Sequence, residues 1–182
     1  MPHEGIAVTW HQDAKVACAG EEPIFNVDYY LDDSDTDTAV WAIPGSHLWP
    51  AERIRPVIEN GTVFPQAGSV PVPVKAGSVM LHNIKLLHGS PPNSGPNMRR
   101  VIYYEFRPAG VELEKGPHTP EYIPLKQRVL RACMERRQLA SYVRSDEKPY
   151  DYRPEAPFNR YVWRPGEKIA SYRYEHRHYF RG

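Results

Sequence analysis

The residues best suited to chemistry in this chain are His11 and Asp13, two positions apart in Thr9-Trp10-His11-Gln12-Asp13 at the end of an apolar run. If that run is a strand, its alternation sends both side chains from one face, close enough to grip one metal ion. Two ligands do not complete a site. The residue that completes it is His88, which also ends an apolar stretch. Two imidazoles and one carboxylate on one face of an ion, with the opposite positions open, form the facial triad that suits non-haem iron(II) and dioxygen. His-x-Asp by itself is weak evidence, since an isolated pair is more often structural. Its force comes from His88 and from Arg99, eleven residues further on. A hairpin return would bring Arg99 beside the metal, where a guanidinium can hold a carboxylate through two hydrogen bonds. Arg100 competes for that role, and alternation along a strand lets only one of the two point inward. The plainer reading makes both of them surface charges on an edge strand.

The elements needed to position these groups are short strands. Ile6 to Trp10 reads as a buried strand leading into His11, Ile24 to Leu31 is rich in β-branched and aromatic residues, and Ala39 to Ile43 is stopped by Pro44-Gly45. Val70, Val72 and Val74 alternate with Pro71 and Pro73, as in an edge strand, because proline cannot donate to a ladder. Ser78 to His88 reads as one strand or two pieces, Gly89 to Asn97 as a loop, and Arg99 to Phe106 as the clearest strand. Pro50 to Asn60 admits one short helix or an irregular crossing. Helical spacing of Leu125, Val129 and Cys133 predicts a longer helix between about Glu121 and Val143. The remaining tail, from Pro149, interleaves tyrosines with arginines and prolines. The expected organisation is a mainly β core over residues 1–110, with the helix and tail of residues 111–182 packed on it.

Other polar clusters have simpler readings. Asp32 to Asp37 lacks the glycine and distal glutamate of a calcium loop and reads as a solvated turn. His47 follows a Pro-Gly turn, where a local structural hydrogen bond is expected. His176 and His178 lie in the tail, where a surface role is expected over metal binding. Asn60-Gly61-Thr62 matches a glycosylation sequon without a secretory signal beside it.

A length of 182 residues, a net charge of +1 and a mean hydropathy of −0.62 describe a chain with no global electrostatic reason to bind nucleic acid or an anionic membrane. No apolar run is long enough to cross a bilayer. The first residues lack the basic segment and apolar stretch of a signal peptide, so a cytoplasmic setting is expected, with Cys18 and Cys133 as free thiols.

Taken in order, Thr9 to Asp13, Pro44-Gly45-Ser46-His47, His88-Gly89-Ser90, Asn93 and Arg99-Arg100 resemble the phytanoyl-CoA dioxygenase family of iron(II)- and 2-oxoglutarate-dependent oxygenases. The resemblance runs from about Ile6 to Phe106 and implies a double-stranded β-helix, the jelly-roll fold shared with cupins. It implies Fe(II) held by His11, Asp13 and His88, 2-oxoglutarate as co-substrate with its far carboxylate on Arg99, and assistance from Ser90. A small organic substrate, dioxygen, and products that include succinate and carbon dioxide follow from it. An aspartate at position 13 favours hydroxylation over halogenation, because no coordination site is opened for a halide. Family members normally carry a long portion before the His-x-Asp motif, whereas ten residues precede His11 here, so an incomplete barrel is expected. Two alternatives stay open: a non-catalytic β-barrel binding domain that retains the motif, and a cupin-like metalloenzyme that dispenses with 2-oxoglutarate.

Overall fold

A computed structural model describes residues 5–13, 24–93, 95–116, 118, 121–160 and 164. Its contacts divide the chain into two compact units, Met1–Pro108 and Ala109–Gly182.

The first unit is mainly β, with seven strands in two antiparallel sheets among the described residues. The strands are β1 (Val8–His11), β2 (Phe25–Tyr30), β3 (Val40–Ala42), β4 (Val70–Val72), β5 (Val79–Asn83), β6 (His88–Ser90) and β7 (Val101–Phe106), with helix α1 (Ala51–Glu59) between β3 and β4. One sheet has the order β1-β6-β3-β4 and the other β5-β2-β7. This is the jelly-roll core of a double-stranded β-helix, and one cavity is lined by residues of both sheets. The proline-bearing β4 lies at a sheet edge, where its missing N–H breaks no ladder on its outer side.

A cluster of Trp10, Ile43, Ile54 and Leu87 is buried together, with Trp41, Trp49, Val57 and Phe64 packed around it. Helix α1 contributes Ile54 to this cluster and closes at Asn60, whose N–H returns to the Pro56 carbonyl. Directly after it, the Gly61 carbonyl accepts a hydrogen bond from the Trp10 N–H at 2.9 Å. Because Trp10 spends its N–H on that loop, the pairing of β1 with β6 is irregular. Two residues lie between Val8 and His11 while one lies between their partners, Ser90 and His88.

Gly89 sits at the tightest point of this sheet. A Cβ there would lie 2.8 Å from the Val8 carbonyl oxygen and 3.1 Å from the Phe64 ring. Gly89→Ala is therefore expected to destabilise the protein by about 1–3 kcal/mol, the usual range for overpacking, read as a lowered midpoint in urea unfolding. A midpoint unchanged from wild type would mean that the β1 backbone yields freely.

In the second sheet, β2 departs from the ordinary half-buried alternation at two inner positions. Asn26 and Asp28 are buried on the inner face, and Tyr29 is exposed on the outer one. On that outer face, ring pairs bridge β2 and β7: Phe25 stacks on Phe106 at 5.4 Å, and Tyr29 meets Tyr104 edge-on at 5.7 Å.

The second unit contains α2 (Ala109–Lys115) and α3 (Tyr122–Gln138). Helical periodicity locates α3 but overextends it, since the helix ends at Gln138 rather than near Val143, and α2 has no apolar stripe long enough to announce itself. Ile123, Leu125 and Gln127 are the buried residues of α3, and the Gln127 amide donates to Tyr152 Oη and to the Phe158 carbonyl. Glu112 and His118 form a close pair at 2.7 Å. Cys133 is an exposed free thiol, while Cys18, His176 and His178 lie outside the described residues. Among the described residues, no helix is long and apolar enough to cross a membrane.

Candidate metal centre

His11 and Asp13 meet for a different reason from strand alternation. Strand β1 ends at His11, and Asp13 lies two residues on, in a bend. That bend is fastened to the turn before β6: the Asp13 N–H donates to the Ile84 carbonyl at 2.9 Å, and the Gln12 side-chain amide donates to the Lys85 carbonyl. Since His11 also pairs with His88 across the sheet, the three side chains converge. One ligand atom from each lies within 4.8 Å of the others.

Tautomers are set by the backbone. His11 Nδ1 lies 2.7 Å from the Thr9 carbonyl, and His88 Nδ1 lies 2.9 Å from the Leu86 carbonyl, each two residues upstream. A carbonyl can only accept, so both Nδ1 atoms carry hydrogen and both Nε2 atoms turn their lone pairs inward. They face Asp13 Oδ1 at 3.4 and 3.7 Å. Three lone-pair donors aimed at one another repel unless positive charge lies between them. Ligands about 2.1 Å from a shared ion, at right angles, stand roughly 3.0 Å apart, so this set needs only a small contraction to bind one. The donor chemistry fits a divalent first-row metal, with imidazole and carboxylate ligands and no thiolate.

The Asp13 carboxylate favours positive charge at the centre, either as a proton on His11 or as a metal ion. Contact with Asp13 raises the pKa of His11. Burial lowers that of His88, which keeps it neutral and able to ligate. Burial alone would raise the Asp13 carboxyl, but its interactions with His11 and His82 outweigh burial and hold it well below the usual carboxylate range.

Behind Asp13 stands a group of residues that sequence reading did not single out. Asp13 Oδ2 accepts from Asn26 Nδ2 at 2.8 Å and contacts His82 Nε2 at 3.0 Å, while His82 Nδ1 lies 3.0 Å from Asp28 Oδ2. Burial tends to lower the His82 pKa, yet the two carboxylates on either side prevail and raise it to about 9. The available signal was the alternation itself. Asn26 and Asp28 take inner positions of β2 and His82 an inner position of β5, where apolar residues are the rule.

Arg99 and Ser90 adjoin the same cavity, of about 560 Å³, which is also bordered by Val40, Ala42, Val72, Met80 and Tyr103. Arg99 donates through Nη1 to the Thr38 carbonyl at 2.9 Å and through Nη2 to Ser90 Oγ at 3.1 Å, which fixes its guanidinium and leaves further N–H groups for a ligand. It does not arrive by a hairpin. Strand β7 pairs with β2 in the other sheet, so the segment after β6 crosses between sheets before reaching Arg99. Arg100 turns outward to an exposed ion pair with Asp32 at 2.7 Å. The acidic turn is held by Asp35 on Thr38 within the turn and by Asp33 on Lys75, 42 residues away. His47 sits in a short 3-10 turn outside the cavity lining. Its neighbour Ser46 is the buried residue there, its hydroxyl accepting the Leu87 N–H.

Among solved structures, the chain is similar to AviO1 from Streptomyces viridochromogenes Tue57, with 34% identity over 59% of this chain and 46% of that one and a TM-score of 0.49. It is similar to EvdMO1 at 33% identity, over 59% of this chain and 24% of that one, with a TM-score of 0.49. EvdO2 from Micromonospora carbonacea var. aurantiaca, solved in complex with 2-oxoglutarate, is 22% identical over 59% of this chain and 48% of that one, with a TM-score of 0.44. The chain thus spans less than half the length of each of these proteins. No curated protein matches it. Residues 1–101, more than half of the chain, match the family model described as phytanoyl-CoA dioxygenase, and the chain belongs to that family.

Proposed function

We propose that this protein is an iron(II)- and 2-oxoglutarate-dependent dioxygenase that hydroxylates a small organic substrate in the cytoplasm, without nucleic-acid or membrane partners. His11 Nε2, Asp13 Oδ1 and His88 Nε2 would hold the metal, Arg99 would take the distal carboxylate of 2-oxoglutarate, and Ser90 would assist Arg99. With 2-oxoglutarate and dioxygen, bound iron(II) supplies an oxidation that places one oxygen atom in a substrate C–H bond and the other in succinate, with release of carbon dioxide.

The chain's own contribution is to bind, orient and exclude water. The backbone carbonyls of Thr9 and Leu86 fix both imidazoles in the ligating tautomer. Ser90 and the Thr38 carbonyl pre-orient the Arg99 guanidinium, so little side-chain freedom is lost when a carboxylate arrives. Aliphatic walls from Val40, Ala42, Val72 and Met80 border the cavity with low-dielectric surface, which strengthens the charged contacts beside them. The observation that carries the reading is the convergence of His11 Nε2, Asp13 Oδ1 and His88 Nε2 at 3.4 and 3.7 Å, with the Nδ1 hydrogen of each imidazole committed to a backbone carbonyl.

The test is anaerobic iron(II) titration followed by succinate measurement in the presence of 2-oxoglutarate and air. Stoichiometric binding with succinate formation is expected. Absence of both would overturn the reading for this chain.

Arg99→Ala is expected to raise the 2-oxoglutarate concentration needed for half-maximal succinate formation by at least about 30-fold, the equivalent of the ~2 kcal/mol lower bound for removing one partner of a buried charge pair. Arg100→Ala, whose guanidinium faces Asp32 outside, is expected to leave that requirement unchanged. Equal effects from the two variants would remove Arg99 from the co-substrate site.

A further inference from the structure

Asp28 is a buried acidic group that the proposed chemistry leaves without a role. It is fully buried on the inner face of β2, and neither of its oxygens has a hydrogen-bond partner with good geometry among the described residues. Its close charged neighbour is His82 Nδ1, 3.0 Å from Oδ2. The opposite ring nitrogen of His82 is 3.0 Å from Asp13 Oδ2, and Asn26 Nδ2 donates to the same oxygen. A carboxylate, an imidazole and a second carboxylate therefore stand in line behind the metal centre. Although Asp28 borders the cavity, it has no solvent-accessible surface, so it has no face for a ligand to touch.

Burying a carboxylate is expensive, and a purely structural position is served as well or better by an apolar residue. Strand β2 nevertheless turns Asn26 and Asp28 inward and leaves Tyr29 on the outside. What this arrangement achieves is asymmetry at Asp13: Oδ2 is occupied twice, and Oδ1 remains for the metal.

We propose that Asp28 is a positioning residue for the metal-binding carboxylate, acting through His82 to keep Asp13 Oδ2 engaged so that Asp13 ligates through Oδ1 alone. The proposal rests on the reading of His11, Asp13 and His88 as ligands. Without Asp28, His82 loses the partner that holds it from behind, and Asp13 is free to rotate and offer both oxygens.

The experiment uses Co(II) alone, with no co-substrate, on the full chain. Wild type, Asp28→Asn, His82→Leu and the double variant are titrated by calorimetry and by the visible d–d absorption of bound Co(II), and thermal unfolding of the metal-free proteins is recorded alongside. Asp28→Asn is expected to weaken Co(II) binding by about 10–100-fold, the range seen when partners of metal ligands are removed, and to change the intensity of the d–d bands as the coordination number changes. In the His82→Leu background, Asp28→Asn is expected to add no further loss, because the route from Asp28 to Asp13 is already cut. The double variant also removes the buried Asp28 charge that His82→Leu alone would leave without its histidine, so it is the folded comparison if His82→Leu does not fold.

Wild-type affinity and spectrum in Asp28→Asn, whatever the change in thermal stability, would overturn the proposal and leave Asp28 a structural residue. A further loss of affinity on adding Asp28→Asn to His82→Leu would also overturn it, by making the effect independent of His82. Failure of the wild type to bind Co(II) would instead overturn the ligand assignment, and this proposal with it.

Discussion

Asp13→Asn is expected to abolish stoichiometric metal binding while leaving the fold in place. Asn26 Nδ2 and His82 Nε2 both present donors to the oxygen they now hold, so an asparagine would turn its own oxygen toward them. Its amide nitrogen would then face His11 and His88, where it offers hydrogens and no lone pair. Both the ligand atom and its negative charge are lost from the metal position. Because removing even an outer partner of a metal ligand costs about 10–100-fold in affinity, the loss here is expected to exceed ~100-fold. Calorimetric titration with Co(II) or anaerobic iron(II) measures it, and far-ultraviolet circular dichroism reports whether the fold survives. It should survive, because Asn26 keeps an acceptor and His82 keeps Asp28. Binding within about 10-fold of wild type would take Asp13 out of the ligand set.

The largest effect on stability is expected one residue before His11. Trp10 is 1% exposed, belongs to the cluster with Ile43, Ile54 and Leu87, and stacks on Phe64 with ring centroids 5.0 Å apart. Its indole N–H donates to the Val63 carbonyl at 2.9 Å. Trp10→Ala removes the aromatic volume and that donor together, and such truncations cost about 3–5 kcal/mol. Against a typical total of about 5–15 kcal/mol, this is a large share. Urea unfolding should show the midpoint falling steeply. A loss under ~1 kcal/mol would mean that the cluster relaxes around the gap and is not the core of this unit. His11 would be affected too, since the Trp10 backbone ties β1 to Gly61 and so fixes where the His11 imidazole emerges.

Some of this was legible in the chain itself. Strands announced by β-branched and aromatic runs, such as Val101 to Phe106, fall where composition indicated, because the fit of such side chains to a pleated strand is a local property of residue type, and β7 forms although most of it is exposed. Prolines 71 and 73 marked an edge for an equally local reason, the absent N–H. Helix α3 was recognisable by its spacing but not by its end, since Gln138 carries no stop signal and local spacing does not say where packing ceases. The sites of His11, Asp13, His88 and Arg99 could be nominated from residue chemistry, because few side chains ligate metals or fork onto carboxylates.

How those residues meet was not in the sequence. Alternation along a strand was expected to pair His11 with Asp13, yet the strand stops at His11, and hydrogen bonds to Ile84 and Lys85 bring Asp13 round. A hairpin was expected to return Arg99, yet β7 joins the other sheet and Arg99 reaches Ser90 from across the cavity. Asn26, His82 and Asp28 are separated by up to 56 positions and come together only when β2 and β5 pair in register. What the sequence determined by itself was which atoms can hold a metal and a carboxylate, because donor chemistry belongs to single residues. Only the tertiary structure decided which lone pairs converge, which tautomers they take and what stands behind them, because those depend on contacts between segments remote in the chain.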